Sequence, residues 1–581
     1  MFPQTQKGRL KSGRKTLKFI NYYLTCPLGQ VFFMQESTPT LKISEKDNLW
    51  VALKDLMPGQ QVIADDESFN LNEKIPAKHK FAGQDFSAGD LAYMYGVLVG
   101  EATCPIMAGE RITTQNLIHR SAEFSSSKER KSWTSPSTKK WENRTFLGYQ
   151  RSDGSAGTAN YWLVVPLVFC ENGNIEILKR SMTKALGFDK RSQYESFAEE
   201  LAKAYQNGDS PANVSLPLEN TARPSPIFPN IDGVKFLTHG LGCGETRGIS
   251  KELCGLLAGY ACNPNVAGIT VLSLGCQHAQ VSILEEEISR RCETFDKPLL
   301  VFEQQKYPSE REMLEKAIRQ TFESLAKANQ MRRSEVPLSK LCLGMECGAS
   351  DGFSGISANP CIGHVADLAV GLNGRVILSE FPELCGVEQE IVNRCESMEI
   401  GNRFIKIMRN YEERVQEAGS GFHMNPSPGN VKDGLITDAI KSAGAARKGG
   451  TSPVVDVFDY PGWVKKDGLS LLCTAGNDVE STTAMAGAGA NLILFSTGLG
   501  TPTGNPISPV IKIASNSPTA KSFKEYIDFD TGSIIDGSES VESLGEKLLD
   551  EVIAYASGIK KTKADLQGRD DFLPWKRGMS L

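Results

Sequence analysis

With 581 residues the chain is long enough for about three to five domains, each burying its own core. A formal net charge of -5, with 23% charged and 40% hydrophobic residues, excludes the broad basic field of a nucleic-acid binder and fits an ordinary soluble protein. Fourteen cysteines stand singly with no CxxC pair, which argues against a zinc ribbon or disulfide scaffold and fits a reducing cytoplasm. No apolar run reaches roughly eighteen residues, so no membrane span is expected.

The first residues are basic, with Lys7, Arg9, Lys11, Arg14, Lys15 and Lys18 and no acid before Glu36. Residues 1–40 read as an unfolded extension, with Met34 as the working initiator. From Leu41 to about residue 120, short strands such as Leu49–Leu53 alternate with turns, predicting a small β module. Residues 121–144 are rich in Ser and Lys and read as a linker. From 145 to 336 the apolar runs YWLVVPLVF, ITVLSLG and PLLVFEQ alternate with helical patterns, as buried strands of a parallel α/β sheet do. A second α/β region covers 337–581, with strands in LSKLCLGME, RVILSE, PVVDVFDY, LSLLCTAG and NLILFSTG. EQEIVNRCESMEIGNRFIKIMRNYEERVQE is expected to be helical. The fold class is therefore α/β: a small β module followed by two mainly parallel α/β domains.

The polar clusters fall at the carboxyl ends of these strands, where open α/β sheets bind ligands. ECGASDGFSGISANP places Glu346, Cys347, Asp351, Ser354 and Asn359 among glycines that allow close backbone approach. THGLGCGETRG precedes an apolar helix and offers His239 and Cys243 as base and thiolate or as metal ligands, and Cys276 ends a strand nearby. Arg151 suits a bidentate carboxylate clamp and equally a surface ion pair, with Asn160 close by. STGLGTPTG, with Thr497, is an anion-cradling loop followed by Lys512, and the absence of GxxxxGK[ST] argues against ATP.

GYQRSDGSAGTANY (148–161), HGLGCG (239–244), NPNVAGITVLSLGCQ (263–277), ECGASDGFSGISANPCIG (346–363), ILSEFPELCGVE (377–388) and FSTGLGTPTGNPISPVIKIASN (495–516) together resemble the altronate/galactarate dehydratase family, the altronate branch more closely. The resemblance implies a SAF-type β module ahead of two α/β domains. It implies dehydration of a sugar acid to a 2-keto-3-deoxy acid, with iron(II) or manganese(II), in a cytoplasmic homo-oligomer, expected to be a dimer. His239, Cys243, Glu346, Cys347 and Asp351 are then the catalytic candidates. Arg151, Asn160, Ser354, Asn359, Thr497 and Lys512 are the substrate-binding candidates. Family members often carry V-H-T-H-N in the β module, where this chain has Thr113 and Gln115, and a histidine before Pro264, where it has Asn263. His79 with His119 is left as the metal pair, the alternatives being His239, Cys243, Cys276 and Cys347. Competing readings are a galactarate dehydratase, a sulfolactate sulfo-lyase, an iron–sulfur dehydratase and an inactive sugar-acid binding protein.

Overall fold

The computed structural model describes residues 23–26, 30–33, 39–64, 67–122, 132–189, 192–216 and 225–581. Within the expected N-terminal extension, Tyr23–Cys26 and Gln30–Phe33 pair as an antiparallel hairpin; Met34 lies outside the described residues. No helix among the described residues is long and apolar enough to cross a membrane.

The β module is built from small antiparallel sheets. Thr40–Leu41, Leu49–Ala52 and Lys80–Ala82 form one, and Leu91–Met94, Val97–Ala102 and Leu117–Ile118 another. Trp50 and Phe81 stack with ring centroids 6.5 Å apart, and Phe69 closes on both, so aromatic side chains fill a core too small for many aliphatic layers.

The first α/β unit has β1 (Tyr161–Pro166), β2 (Gly233–Phe236), β3 (Val266–Ser273) and β4 (Leu299–Glu303), ordered β2-β1-β3-β4 and all parallel. The second has β5 (Cys342–Gly348), β6 (Arg375–Leu378), β7 (Val454–Phe458), β8 (Gly468–Leu472), β9 (Leu492–Thr497), β10 (Val510–Ala514) and β11 (Phe529–Asp530). Their order is β7-β8-β6-β5-β9-β10-β11, again parallel throughout. Every residue of β5, β8, β9 and β10 is buried, which explains their mainly apolar character in sequence, broken in β5 by Glu346 and in β10 by Lys512. The chain leaves β5 towards β6 and leaves β9 towards β10, on opposite sides. The sheet's topological switch point, where a ligand crevice forms, is therefore at the carboxyl ends of β5 and β9.

The two units pack through helix α1 (Arg247–Cys262), and α2 (Ala358–Gly371), α3 (Asp438–Ala445) and α4 (Asp478–Gly487) belong to the second. Gly259 of α1 touches Gly487 of α4 so closely that a Cβ on Gly259 would lie 1.9 Å from the Gly487 carbonyl oxygen. The final residues tie the units together: Arg577 binds Glu252 and Asp459, and the Leu581 amide donates to the Gly244 carbonyl at 2.6 Å.

The expected long helix after residue 388 is two, Glu388–Arg394 and Met398–Glu417. Cys395 bridges to Val454 at the sheet edge, and the Ser397 hydroxyl caps the second helix by accepting from the Ile400 amide. The described part of the connector is docked rather than loose. Trp133 donates to Thr451 at 3.1 Å, and Trp141, 1% exposed, donates to Asp550 at 2.9 Å.

The β module is pinned to the second unit by two lysines from IPAKHK. Lys78 pairs with Asp351 at 3.0 Å, and fully buried Lys80 donates to the Gly434 carbonyl at 2.6 Å.

Candidate active site

Parallel pairing sets the first row of the site. Glu346 of β5 is opposite Phe495 of β9, which is opposite Lys512 of β10, so the three share one face of the sheet. The Lys512 ammonium lies 3.1 Å from the Phe495 ring centroid and donates to the Thr503 hydroxyl at 3.1 Å. Burial, only partly offset by Asp478, lowers its pKa to about 7. Cys347, the next residue, turns to the other face.

The loop after β6 joins the two faces. Glu380 adopts φ 61°, a left-handed conformation that costs a non-glycine residue about 1–2 kcal/mol, and its amide is fixed by the Thr474 hydroxyl at 2.9 Å. This turn aims Glu380 at Glu346, and the 3-10 turn Phe381–Leu384 brings Glu383 beneath Cys347. The Lys448 ammonium lies between them, 2.8 Å from Cys347 Sγ, 2.9 Å from Glu380 Oε2 and 3.6 Å from Glu383 Oε2. Cys347 Sγ donates to Glu383 Oε2 at 3.2 Å, and Lys441 holds the other Glu383 oxygen at 2.9 Å. Ser481 of α4 donates to Glu346 and is bonded in turn to Ser379 at 2.7 Å.

Relative exposure is 0% for Glu346, 2% for Cys347 and 1% for Glu380, so charge here is governed by desolvation. Burial raises Glu346 far above the usual carboxylate range, and the neighbouring Glu380, to which it is hydrogen-bonded, adds to the rise. Burial and Glu383 raise Glu380 to about 7, against the pull of Lys448. Burial would raise Glu383 too, but Lys441 and Lys448 overcome it and bring it down to about 2. Burial and Glu383 keep Cys347 a thiol despite Lys448. Lys448 stays charged because Cys347 and the carboxylates outweigh its desolvation.

Among the described residues two donor sets have atoms within 4.8 Å of one another: Cys347/Glu380/Glu383 and Glu346/Glu380/Asp478. The first already encloses the Lys448 ammonium and has no place for a second cation. The second offers three carboxylates, and Gly348 makes room for it, because a Cβ there would lie 1.9 Å from Asp478 Oδ2. Three oxygen donors suit a hard divalent ion, which on binding would displace the proton held between Glu346 and Glu380. Asp478 is half-buried and its neighbours Gly476 and Asn477 are exposed, which makes this edge the mouth of the cluster.

Of the sequence candidates, the structure brings together Glu346, Cys347 and Lys512. Asp351 lies one turn away and is saturated: its Oδ1 accepts from Ser354 and Ser515, its Oδ2 from Asn516 and Lys78. Asn359 bonds Ser496 and the Gly444 carbonyl, and Thr497 holds the turn to Gly500 at 3.0 Å. Arg151 and Asn160 bond each other at 3.0 Å, with Arg151 also donating to the Pro264 carbonyl at 2.7 Å. His239 lies beyond the four-stranded sheet with both ring nitrogens on backbone, the Pro166 carbonyl at 2.8 Å and the Leu241 amide at 3.2 Å. Cys243 is partly exposed and Cys276 exposed on that same side. His79 Nε2 bonds the Lys432 carbonyl at 2.9 Å, while His119 meets the Ala439 amide at 3.4 Å. Asn263, which stands where the family often has histidine, is consumed by the Ala486 and Ala490 carbonyls. Glu383, Lys441, Lys448 and Asp478 were not singled out from sequence, and Glu380 was noted only as part of a polar stretch.

A small β module thus precedes two parallel α/β units, with carboxylates and lysines buried at the switch point of the second, as in an enzyme that handles a small polar ligand. The models for the altronate/galactarate dehydratase SAF domain, for the second domain of D-galactarate dehydratase/altronate hydrolase and for the D-galactarate/altronate dehydratase C-terminal region match residues 38–120, 148–329 and 338–580. The altronate dehydratases of Bacillus subtilis and Escherichia coli are each 30% identical, over 89% and 93% of this chain and 95% and 99% of theirs. The galactarate dehydratase (L-threo-forming) of Escherichia coli is 28% identical over 92% of this chain and 96% of its own. The chain belongs to the altronate/galactarate dehydratase family and is a sugar-acid dehydratase.

Proposed function

We propose that the protein dehydrates D-altronate to 2-keto-3-deoxy-D-gluconate at the Glu346–Glu380–Lys448–Lys512 cluster, with galactarate as the alternative substrate. The observation that carries this reading is the grouping of Glu346, Glu380 and Asp478 with Lys512 at the switch point of the seven-stranded sheet. The substrate's C2 proton is acidified only by its own carboxylate, so its removal builds a dianion that demands nearby positive charge. Lys512, held on the Phe495 ring and lowered to about 7, is a base of suitable strength at neutral pH. It takes the C2 proton and, as the ammonium, returns it to the departing C3 hydroxyl. The C2–H and C3–O bonds break, water leaves, and the enol product becomes the 2-keto acid. Lys441 and Lys448 supply fixed positive charge in a water-poor setting.

Glu346, Glu380 and Asp478 would hold iron(II) or manganese(II), which when bound stabilises the negative charge developing on the substrate. Domain limits of 41–120, 145–336 and 337–581, a cytoplasmic location and a homodimer belong to the same proposal.

The test is incubation of protein reconstituted with iron(II) or manganese(II) with altronate, galactarate and sulfolactate, assaying 2-keto-3-deoxy acid and sulfite. Altronate should be consumed fastest. Turnover of none of the three defeats the dehydratase assignment at this cluster, and sulfite release alone moves it to the sulfo-lyase reading.

A further inference from the structure

A cavity of about 650 Å³ lies where the β module meets the second α/β unit. Thr114 and His119 line it from the module; Cys385, Glu412, His423 and Asp438 line it from the other side. Asp438 is the first helical residue of α3 and is 1% exposed, yet neither of its carboxylate oxygens accepts a hydrogen bond from a nitrogen or a hydroxyl. Its polar neighbour is the Cys385 thiol. A carboxyl buried in this way is retained at a cost unless a ligand supplies the missing donors.

The chemistry of the walls narrows the ligand. Among the described residues no lysine or arginine lines the cavity, so the described walls offer no cationic clamp for a substrate carboxylate. No three of its carboxylate, thiol and imidazole donors converge within 4.8 Å, so it is not a metal cage as folded. Burial raises Asp438 well above the usual carboxylate range, and burial with the nearby His423 lowers His119, while Glu412 adds an acidic side chain to the wall. Carboxyl, imidazole, thiol and hydroxyl groups around an ample volume suit a chain of hydroxyl groups.

The cavity lies near the reacting cluster, separated from it by α3 and the 422–426 turn. Lys441 lies one turn beyond Asp438 on α3 and pairs with Glu383 at 2.9 Å. Asn425 accepts from Lys441 and lies against Gly476 at the mouth, while the next residue, Pro426, lines the cavity.

We infer that this cavity receives the hydroxyl-bearing carbon chain of the sugar acid, and that Asp438 is the residue that reads its hydroxyl groups, with His119 and His423 facing the same chain. The inference rests on the dehydratase reading and adds to it the place of the chain and the source of discrimination.

The test compares wild type, Asp438→Asn and His423→Gln, reconstituted with manganese(II), in steady-state kinetics with D-altronate and D-galactarate and in thermal melting. His423 is exposed, so its replacement leaves folding intact. Asp438→Asn should raise KM for the better substrate at least about tenfold with kcat within about threefold, and His423→Gln should raise it several-fold. Melting of Asp438→Asn should be little changed, because a carboxamide has the size and polarity of the protonated carboxyl it replaces. If wild type turns over a sugar acid and Asp438→Asn has the same KM, the inference falls while the dehydratase reading stands. A fall in melting temperature with unchanged KM makes Asp438 a packing residue and likewise overturns it. If wild type turns over neither acid, both fall together.

Discussion

Lys448→Met tests the charge accounting of the cluster most directly. The ammonium touches Cys347 Sγ at 2.8 Å and Glu380 at 2.9 Å and reaches Glu383 at 3.6 Å, all at 5% side-chain exposure or less. Removing one partner from such a buried set costs about 3–5 kcal/mol, because the remaining charge must be neutralised or left without a counter-ion. Glu383 keeps Lys441, so the orphaned group is Glu380. Lys448→Met should therefore destabilise β5 by about 3–5 kcal/mol at pH 8, read as lost hydrogen-exchange protection of residues 342–348. Adding Glu380→Gln should recover about half of that loss, whereas adding Glu383→Gln should recover little. The loss should also shrink as the pH falls towards about 7, since Glu380, pushed higher once Lys448 is gone, is then protonated in both proteins and no longer needs the ammonium. Protection within about 1 kcal/mol of wild type, or a larger rescue by Glu383→Gln, would refute the assigned pairing.

Gly348→Ala pushes a methyl against Asp478 Oδ2 and should lower manganese(II) affinity at least about tenfold, with a small change in melting; calorimetric titration checks it. Asp351→Asn removes the ion pair to Lys78 and should cost about 3 kcal/mol in denaturant unfolding while folded protein keeps its specific activity, with limited proteolysis showing earlier release of the β module. Lys80 is lowered to about 7 by burial, so the folded state binds fewer protons than the unfolded one between about 7 and the ordinary lysine value of 10.5. Wild-type stability should therefore gain with rising pH across that window relative to Lys80→Met, and parallel pH profiles of the two proteins would contradict it.

The strands were legible because buried parallel strands are long apolar runs, and the site's address was legible because polar loops follow them. Glu346 and Cys347 could be named for that reason, being the last residues of β5 before a glycine. Lys448 could not: it sits in AARKGG, where a basic pair reads as a solvated helix end, and only the fold puts it under β5 and β6. Asp478 reads as a helix-start acid, a position that favours carboxylates whatever their function. Arg151, Asn160, His239 and Asp351 show the converse. A polar side chain in a glycine-rich loop looks the same in sequence whether a ligand or a backbone carbonyl satisfies it, and here the structure satisfies each from within. The break at Cys395 was hidden because Ser397 competes for cap and helix interior alike.

The burial that makes the cluster chemically useful also limits what it can recognise. Glu346, Glu380, Cys347 and Lys448 are sealed from solvent, and their partners are one another, so they can act on a carboxylate with an acidic C2 proton but cannot read the configuration of distant hydroxyls. A low-dielectric interior strengthens each charge there, and the same condition penalises any group added to distinguish substrates. Discrimination among sugar acids must then fall to walls that remain open, and the cavity beside α3 has them: imidazoles, a thiol, Glu412 and an unsatisfied carboxyl, with no lysine or arginine among the described lining residues. That division predicts that changes around Asp438 and His423 alter which acid is preferred, while changes at Glu346, Lys448 or Lys512 lower turnover of all acids alike. Side-by-side kinetics on altronate and galactarate separate the two effects, and a Lys512→Arg enzyme that had merely switched substrates would contradict it.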